Sequence, residues 1–210
     1  MMNTNISFLS WAFYNKDDDL SEKVPRSLLR GMGGFGKFIV SAFLKLKVNG
    51  EFFLVLSTQY GNVQLFAKMG RQILYENFCS PVLCSKFPNS VPAGIISIIT
   101  KNHEEYTTVS SGSRSFEIGL FDALLSLHED VVYIYAEDDM TGLLTSDVPP
   151  PFGAFALHIK KDNSGNFCVK SGRNESIEPR SWQDFVLFLN NKGRKFEAKN
   201  FVIERRETNG

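Results

Sequence analysis

The stretch Val131-Val132-Tyr133-Ile134-Tyr135-Ala136 is apolar or aromatic throughout. A short, unbroken run of this kind is typical of a strand that is covered on both faces of a sheet. The earlier run Glu51-Phe52-Phe53-Leu54-Val55-Leu56-Ser57 has the same character. Segments of helical periodicity lie between and around these runs, so the sequence predicts an α/β fold with a mixed sheet and helices on both of its faces.

The remaining segments alternate between helical and strand patterns. Apolar residues recur at helical spacing from Val63 to Leu74, which predicts an amphipathic helix. Further helices are predicted over residues 92–99, 116–127 and 181–189, and further strands over residues 106–109, 154–159, 167–170 and 196–203.

Turn and loop signals divide these elements. Pro149-Pro150-Pro151 marks a turn before the strand at 154–159, and Asn163-Ser164-Gly165-Asn166 marks a turn after it. The second turn predicts that the strands at 154–159 and 167–170 pair as a hairpin. Residues 15–34 are polar and end in Arg30-Gly31-Met32-Gly33-Gly34, which indicates a mobile or ligand-adapting loop.

Composition limits the functional classes. A chain of 210 residues with 43% hydrophobic residues predicts one domain spanning residues 1–210. Basic and acidic residues are equal at 23 each, which argues against binding to nucleic acid or to an anionic membrane. No apolar run approaches the roughly 20 residues of a membrane span, and the N-terminus lacks the pattern of a signal peptide. We therefore expect a cytoplasmic protein.

The cysteines and histidines do not predict a metal or a cofactor. Cys79, Cys84 and Cys168 are an odd number without framework spacing, so we expect reduced thiols, with Cys79 and Cys84 as small buried hydrophobic residues. His103, His128 and His158 lie on different predicted elements without the paired spacing of a metal site. The acidic runs Asp17-Asp18-Asp19 and Asp138-Asp139 are interpreted as solvated loops.

Ser110-Ser111-Gly112-Ser113 lies between a predicted strand and a predicted helix, where a nucleophile could be exposed. The Gly-x-Ser-x-Gly spacing is absent, and no general base is identifiable nearby in the sequence. We expect the serines to cap the helix. The alternative is a serine acyl hydrolase that uses Ser110 or Ser111 with His128 or His158 as the base.

The stretch from Cys79 to Ala136 resembles the N-terminal half of β-ketoacyl synthases, which have the thiolase-like fold. The residues that carry this resemblance are Ser80-Pro81, the segments 92–98 and 107–112, and the following helix with Phe116. The similarity extends over about residues 1–160 to a short subfamily of ketoacyl-synthase-like N-terminal domain proteins. These resemble chain-length factors and occur with aryl polyene pathways, and the segment from Pro25 to Arg30 is similar to one of their motifs.

The resemblance implies a catalytically inactive, truncated half-fold. Active relatives carry a nucleophilic cysteine three residues before a glycine at the start of a central helix, where the helix terminus favours thiolate charge. Gly112 matches that glycine, so Val109 occupies the position of the nucleophile. The two histidines of the active family belong to a C-terminal half that this chain lacks. Ser90 replaces an asparagine that is usual in the family, although Asn89 precedes it.

The resemblance also implies a partner. We expect a heterodimer with a complete β-ketoacyl synthase in fatty-acid-like or polyketide-like biosynthesis, with acyl carrier protein as an indirect partner. Leu83 and Phe87 belong to a segment that reaches across the dimer interface toward the acyl tunnel of the synthase, where side-chain volume would limit chain length. Ordinary interface packing of these residues, in a purely structural scaffold, is the alternative.

Overall fold

A mixed sheet lies at the centre of the structure, a computed structural model that describes residues 3–143, 152–191 and 193–206. These described residues form the strands β1 (Asn3–Phe13), β2 (Phe53–Ser57), β3 (Tyr106–Val109), β4 (Asp130–Glu137), β5 (Gly153–Lys161), β6 (Phe167–Ser171), β7 (Lys195–Glu197) and β8 (Phe201–Arg205). Their helices are α1 (Arg26–Leu44), α2 (Val63–Glu76), α3 (Pro81–Lys86), α4 (Val91–Thr100), α5 (Ser115–Leu125) and α6 (Trp182–Asn190). The strand order is β3-β2-β4-β5-β1-β6-β8-β7.

The position of β1 corrects one sequence prediction. The hairpin between the strands at 154–159 and 167–170 is wrong, because β1 lies between β5 and β6 and pairs antiparallel with both. The turn at 163–166 therefore arches over β1. A Cβ atom at Gly165 would clash with the backbone of Ile6, so the close approach of β1 to this turn requires glycine.

Two other predictions also change. The segment at 15–34 is a loop only in its first half, because α1 begins at Arg26 and buries Met32 and Phe35. Gly33 interrupts the helical geometry of α1 with a φ of 68°. The predicted strand at 196–203 is two short antiparallel strands, β7 and β8. The predicted turn at 149–151 lies outside the described residues.

Both faces of the sheet are covered by helices, as the apolar runs predict. Val132 packs in the core beneath α1 and α4, whereas its neighbour Tyr133 packs in the core beneath α5 and α6. Both side chains are 0% exposed. Because successive residues of a strand point to opposite faces, a strand such as β4 can be apolar throughout only where each face is buried.

A close contact seats α5 on the sheet. The Tyr133 hydroxyl donates a hydrogen bond of 2.7 Å to the carbonyl oxygen of Phe116 and lies 2.7 Å from the Ser57 hydroxyl. A Cβ atom at Gly119 would overlap the Ser57 side chain and would lie 2.9 Å from Tyr133 Cε2. The absence of a side chain at residue 119 therefore lets α5 approach β2 and β4.

We predict that Gly119→Ala destabilises the protein by about 1–3 kcal/mol, because the added methyl group forces α5 away from the sheet. Gly94→Ala is the matched control, since Gly94 also lies within a helix but has open space at its Cβ position. The control is expected to stabilise α4 by about 0.5–1 kcal/mol. Urea unfolding measures both variants, and equal effects of the two substitutions would contradict this account.

Candidate functional site

The end of β3 and the start of α5 form the region where the resemblance places a nucleophile. Val109 is the last residue of β3, pairs with Ser57 of β2, and is half-buried against the core that α5 and α6 cover. Its carbonyl oxygen accepts a hydrogen bond of 3.1 Å from the Thr58 amide. A valine at this position contributes an apolar packing surface and no nucleophilic atom.

The segment at 177–183 covers the start of α5. Arg114 forms a 2.7 Å ion pair with the buried Glu117 and donates a second hydrogen bond of 2.7 Å to the carbonyl oxygen of Ile177. The Arg180 amide donates to Glu117 at 2.9 Å. The remaining cavity, between Ser113 and this segment, has a volume of about 180 Å³. Ligand sites usually have about 300–1,000 Å³, so little room remains here for an acyl group.

The serines of this turn have structural contacts, but they do not cap α5. The Ser110 hydroxyl donates to the carbonyl oxygen of Gln59 at 3.3 Å. The Ser115 hydroxyl accepts from the Ser111 amide at 2.8 Å and donates to the carbonyl oxygen of Gly112 at 2.8 Å. The predicted capping by Ser110 or Ser111 is wrong, because the turn at Gly112, with a φ of 57°, separates both serines from the helix.

The structure does not bring a histidine to these serines. His158 pairs with Val132 across the sheet and lies 3.0 Å from Asp130, at the beginning of β4. His128 lies 3.2 Å from Glu105, just before β3 begins. The length of β3 separates this end of the sheet from the serines, a distance of about 13 Å at the usual rise per residue. The arrangement does not supply the base that a serine hydrolase needs.

Glu137 and Asp138 are site residues that the sequence analysis missed. Glu137 is buried, and its carboxylate accepts hydrogen bonds from the Gln59 amide at 2.5 Å and the Tyr60 amide at 3.1 Å. Burial raises the pKa of Glu137 above its ordinary value, although these hydrogen bonds act in the opposite direction.

Asp138 also binds a backbone amide, and its burial corrects the prediction that it lies in a solvated acidic loop. It is 4% exposed and accepts a hydrogen bond of 3.0 Å from the Gln64 amide in the first turn of α2. The two acidic side chains therefore fix the connection from β2 to α2. The sequence could have indicated this role, because the acidic pair comes where a buried strand ends. The carboxyl end of parallel strands is where their loops lie.

In the acidic run at 17–19, Asp17 and Asp19 are exposed as predicted, and only Asp18 is partly covered. Asp18 is half-buried and forms a 2.6 Å ion pair with Lys45. Among the described residues, no group of three His, Cys, Asp or Glu side chains could hold a metal ion.

Helix α2 carries an apolar stripe that no described element covers. None of its residues is buried, and Phe66 and Leu74 are 62% and 75% exposed. Exposed apolar residues continue through the connection to α3 and to the end of that helix. This surface, hereafter the α2–α3 face, comprises Phe66, Ile73, Leu74, Phe78, Val82 and Phe87.

Leu83 lies on α3, and Phe87 directly follows that helix. Leu83 is half-buried, whereas Phe87 is 38% exposed and its ring centroid lies 5.9 Å from that of Phe66. Ser90 precedes α4 without a capping hydrogen bond from its side chain. The neighbouring Asn89 makes the local contact instead, because its side-chain oxygen accepts from the Asn62 amide at 3.4 Å.

A cavity of about 650 Å³ lies between α1 and α2. Half of its lining residues are polar or charged, including Lys68, Arg71 and Asp138. No helix in the described ranges is long and apolar enough to cross a lipid bilayer.

Comparison with solved structures finds the same fold in several proteins. A chain in the structure of a ketosynthase (ApeO) in complex with its chain length factor (ApeC) from Xenorhabdus doucetiae is 16% identical, with a TM-score of 0.73. The alignment covers 96% of this chain and 99% of that chain. The ishigamide ketosynthase/chain length factor gives a TM-score of 0.65 at 12% identity, covering 81% of this chain and 68% of that chain. At these identities the similarity establishes the fold, which is thiolase-like.

Sequence comparison identifies the family. No curated protein matches this sequence. The profile of the family described as β-ketoacyl synthase, N-terminal domain, matches residues 10–182, which include every strand from β2 to β6 and the turn at Gly112. The match covers most of the chain and agrees with the thiolase-like fold, so this protein belongs to the β-ketoacyl synthase N-terminal domain family.

Proposed function

We propose that this chain is a non-catalytic, chain-length-factor-like subunit that binds a complete β-ketoacyl synthase. Residues 1–210 would act as one domain in a cytoplasmic heterodimer of fatty-acid-like or polyketide-like biosynthesis, such as an aryl polyene pathway. The observation that carries the proposal is Val109, which the resemblance places at the nucleophile position of the family and which packs, half-buried, against the core. The solved relatives that include a chain length factor support the same role.

The proposed lack of catalysis follows from the side chain at the nucleophile position. A condensing enzyme needs a thiolate at the position that the resemblance assigns to Val109, and a valine side chain cannot provide one. Arg114 and Glu117 also hold the segment at 177–183 over the start of α5. A cavity of only about 180 Å³ remains between this segment and Ser113.

We predict that the purified chain neither accepts an acyl group from acyl carrier protein nor condenses malonyl units. Val109→Cys is expected to remain unable to condense, because an added thiol without decarboxylation machinery supplies only part of the site. Mass spectrometry of the intact protein and of its peptides measures acyl transfer. Condensation by the wild-type chain would contradict the proposal.

Two features support a partner surface. β3 is an edge strand, and no described strand pairs with its outer side. Family members dimerise through the strand before the nucleophile helix, and β3 has that position before α5. The α2–α3 face adds exposed apolar area, which a soluble protein usually covers by association. An exposed edge and an apolar face together fit a large, permanent interface.

We predict a complex with the synthase that buries more than about 2,000 Å² in total. Leu74→Glu is expected to weaken binding at least tenfold, which corresponds to about 1.4 kcal/mol, because it places a charge in an apolar interface. Leu127→Glu is the matched control, since Leu127 is 95% exposed but follows α5, outside the α2–α3 face. Titration calorimetry measures both variants. Equal binding by both would exclude this face, and a wild-type chain that stays monomeric with the synthase would exclude the partner role.

Phe87 distinguishes control of chain length from scaffolding. If Phe87 borders the acyl tunnel of the partner, Phe87→Ala opens volume and yields longer products, whereas Phe87→Trp yields shorter products. Phe78→Ala removes another exposed phenyl ring from the same face and is expected to leave product length unchanged. The measurement is mass spectrometry of carrier-bound products from the reconstituted pair, with complex stability determined in parallel. Unchanged products from an intact complex would favour a scaffold.

A further inference from the structure

The connection between α2 and α3 brings two cysteines together. α2 ends at Glu76, and the next residue, Asn77, reverses the chain with a φ of 49°. The Ser80 amide then donates to the side-chain oxygen of Gln72 at 3.2 Å. This tight turn places Cys79 just before α3 and Cys84 within it. Their sulfur atoms are 3.1 Å apart.

Both thiols are accessible, which corrects the prediction that they are buried. Cys84 is exposed and Cys79 is half-buried. The reason is that α3 lies at the surface, with no buried residue of its own. A disulfide has sulfur atoms about 2.05 Å apart, so the pair needs to approach by only about 1 Å.

We propose that Cys79 and Cys84 form a dithiol site that oxidises reversibly to an intramolecular disulfide, with a small-molecule disulfide as the oxidant. The thiolate of the exposed Cys84 attacks one sulfur of the oxidant, forms a mixed disulfide and releases one thiol. Cys79 loses its proton and attacks the Cys84 sulfur, which expels the second thiol. Two protein thiols are oxidised, and one disulfide is reduced to two thiols.

The order of attack follows from the surroundings of each sulfur. Cys84 is the more exposed of the two and meets the oxidant first. The hydrogen bond with Cys84 raises the pKa of the Cys79 thiol above its ordinary value, so Cys79 stays protonated longer and suits the second, intramolecular step. That step is favoured because the two sulfurs are already in contact.

The disulfide would have a local structural effect. It would link the connection after α2 to α3, the helix that carries Leu83 and ends next to Phe87. The dithiol itself is a property of the isolated chain and does not depend on the proposed function. Its effect on a bound synthase does rest on that function, so the test uses the chain alone.

The experiment incubates the full chain with oxidised glutathione and then counts free thiols and measures the intact mass. The wild-type protein has three cysteines, and we expect it to lose two thiols with a mass decrease of about 2 Da, reversed by a dithiol reductant. Peptide mapping is expected to place the bond between Cys79 and Cys84. Cys168→Ser, which removes the cysteine on β6, is the matched control and is expected to oxidise in the same way.

The single variants Cys79→Ser and Cys84→Ser cannot close the bond. Cys79→Ser is expected to stop at the mixed disulfide of Cys84 with glutathione. Three unreacted thiols in the wild-type chain, a stable mixed disulfide at Cys84, or covalent dimers would each overturn the proposal. None of these results would affect binding to a synthase, which is measured separately under reducing conditions.

Discussion

Burial of the central strands on both faces is the constraint on which the rest of the structure depends. Val132 and Tyr133 are adjacent and fully buried, so β4 requires helices above and below the sheet. On one side, α1 and α4 supply this cover. On the other side, α5 approaches closely because residue 119 is glycine and because the Tyr133 hydroxyl finds a carbonyl oxygen within α5. The position of α5 then determines where the turn at Gly112 lies.

The carboxyl ends of the parallel strands β2, β3 and β4 meet at one edge of the sheet, the usual location of chemistry in such folds. At and near that edge of this protein, buried acidic side chains hold the backbone. Glu137 accepts amide hydrogen bonds from the loop after β2, and Glu117 holds the segment that covers the start of α5. The pKa of Glu137 is raised by burial, so its contribution to stability is present at low pH and is lost as the pH rises through that pKa.

The helices differ in what covers them. α1, α4, α5 and α6 each bury apolar residues in one of the two cores, whereas α2 buries none. Its connection to β2 is nevertheless fixed by Glu137 and Asp138, so the exposed stripe is held in one orientation. Cys79 and Cys84 alternate along the chain with Phe78, Val82 and Phe87 of the α2–α3 face.

The sequence by itself determined the elements whose signals are local. Unbroken apolar runs predicted β2 and β4, helical spacing predicted α2, and Ser181 with Asp184 provides a capping box at the predicted start of α6. The resemblance to β-ketoacyl synthases also came from sequence, because its motifs are short segments around β3 and α5.

Only the tertiary structure decided which elements meet. β1 inserts between β5 and β6. The turn sequence between β5 and β6 could not reveal this, because β1 pairs with residues more than half of the chain away. Periodicity showed that α2 has an apolar side but could not show that this side is uncovered. The same holds for the burial of Asp138 and for the contact of Cys79 with Cys84. Local patterns report what a segment prefers, whereas burial and contact depend on the neighbours that the whole chain supplies.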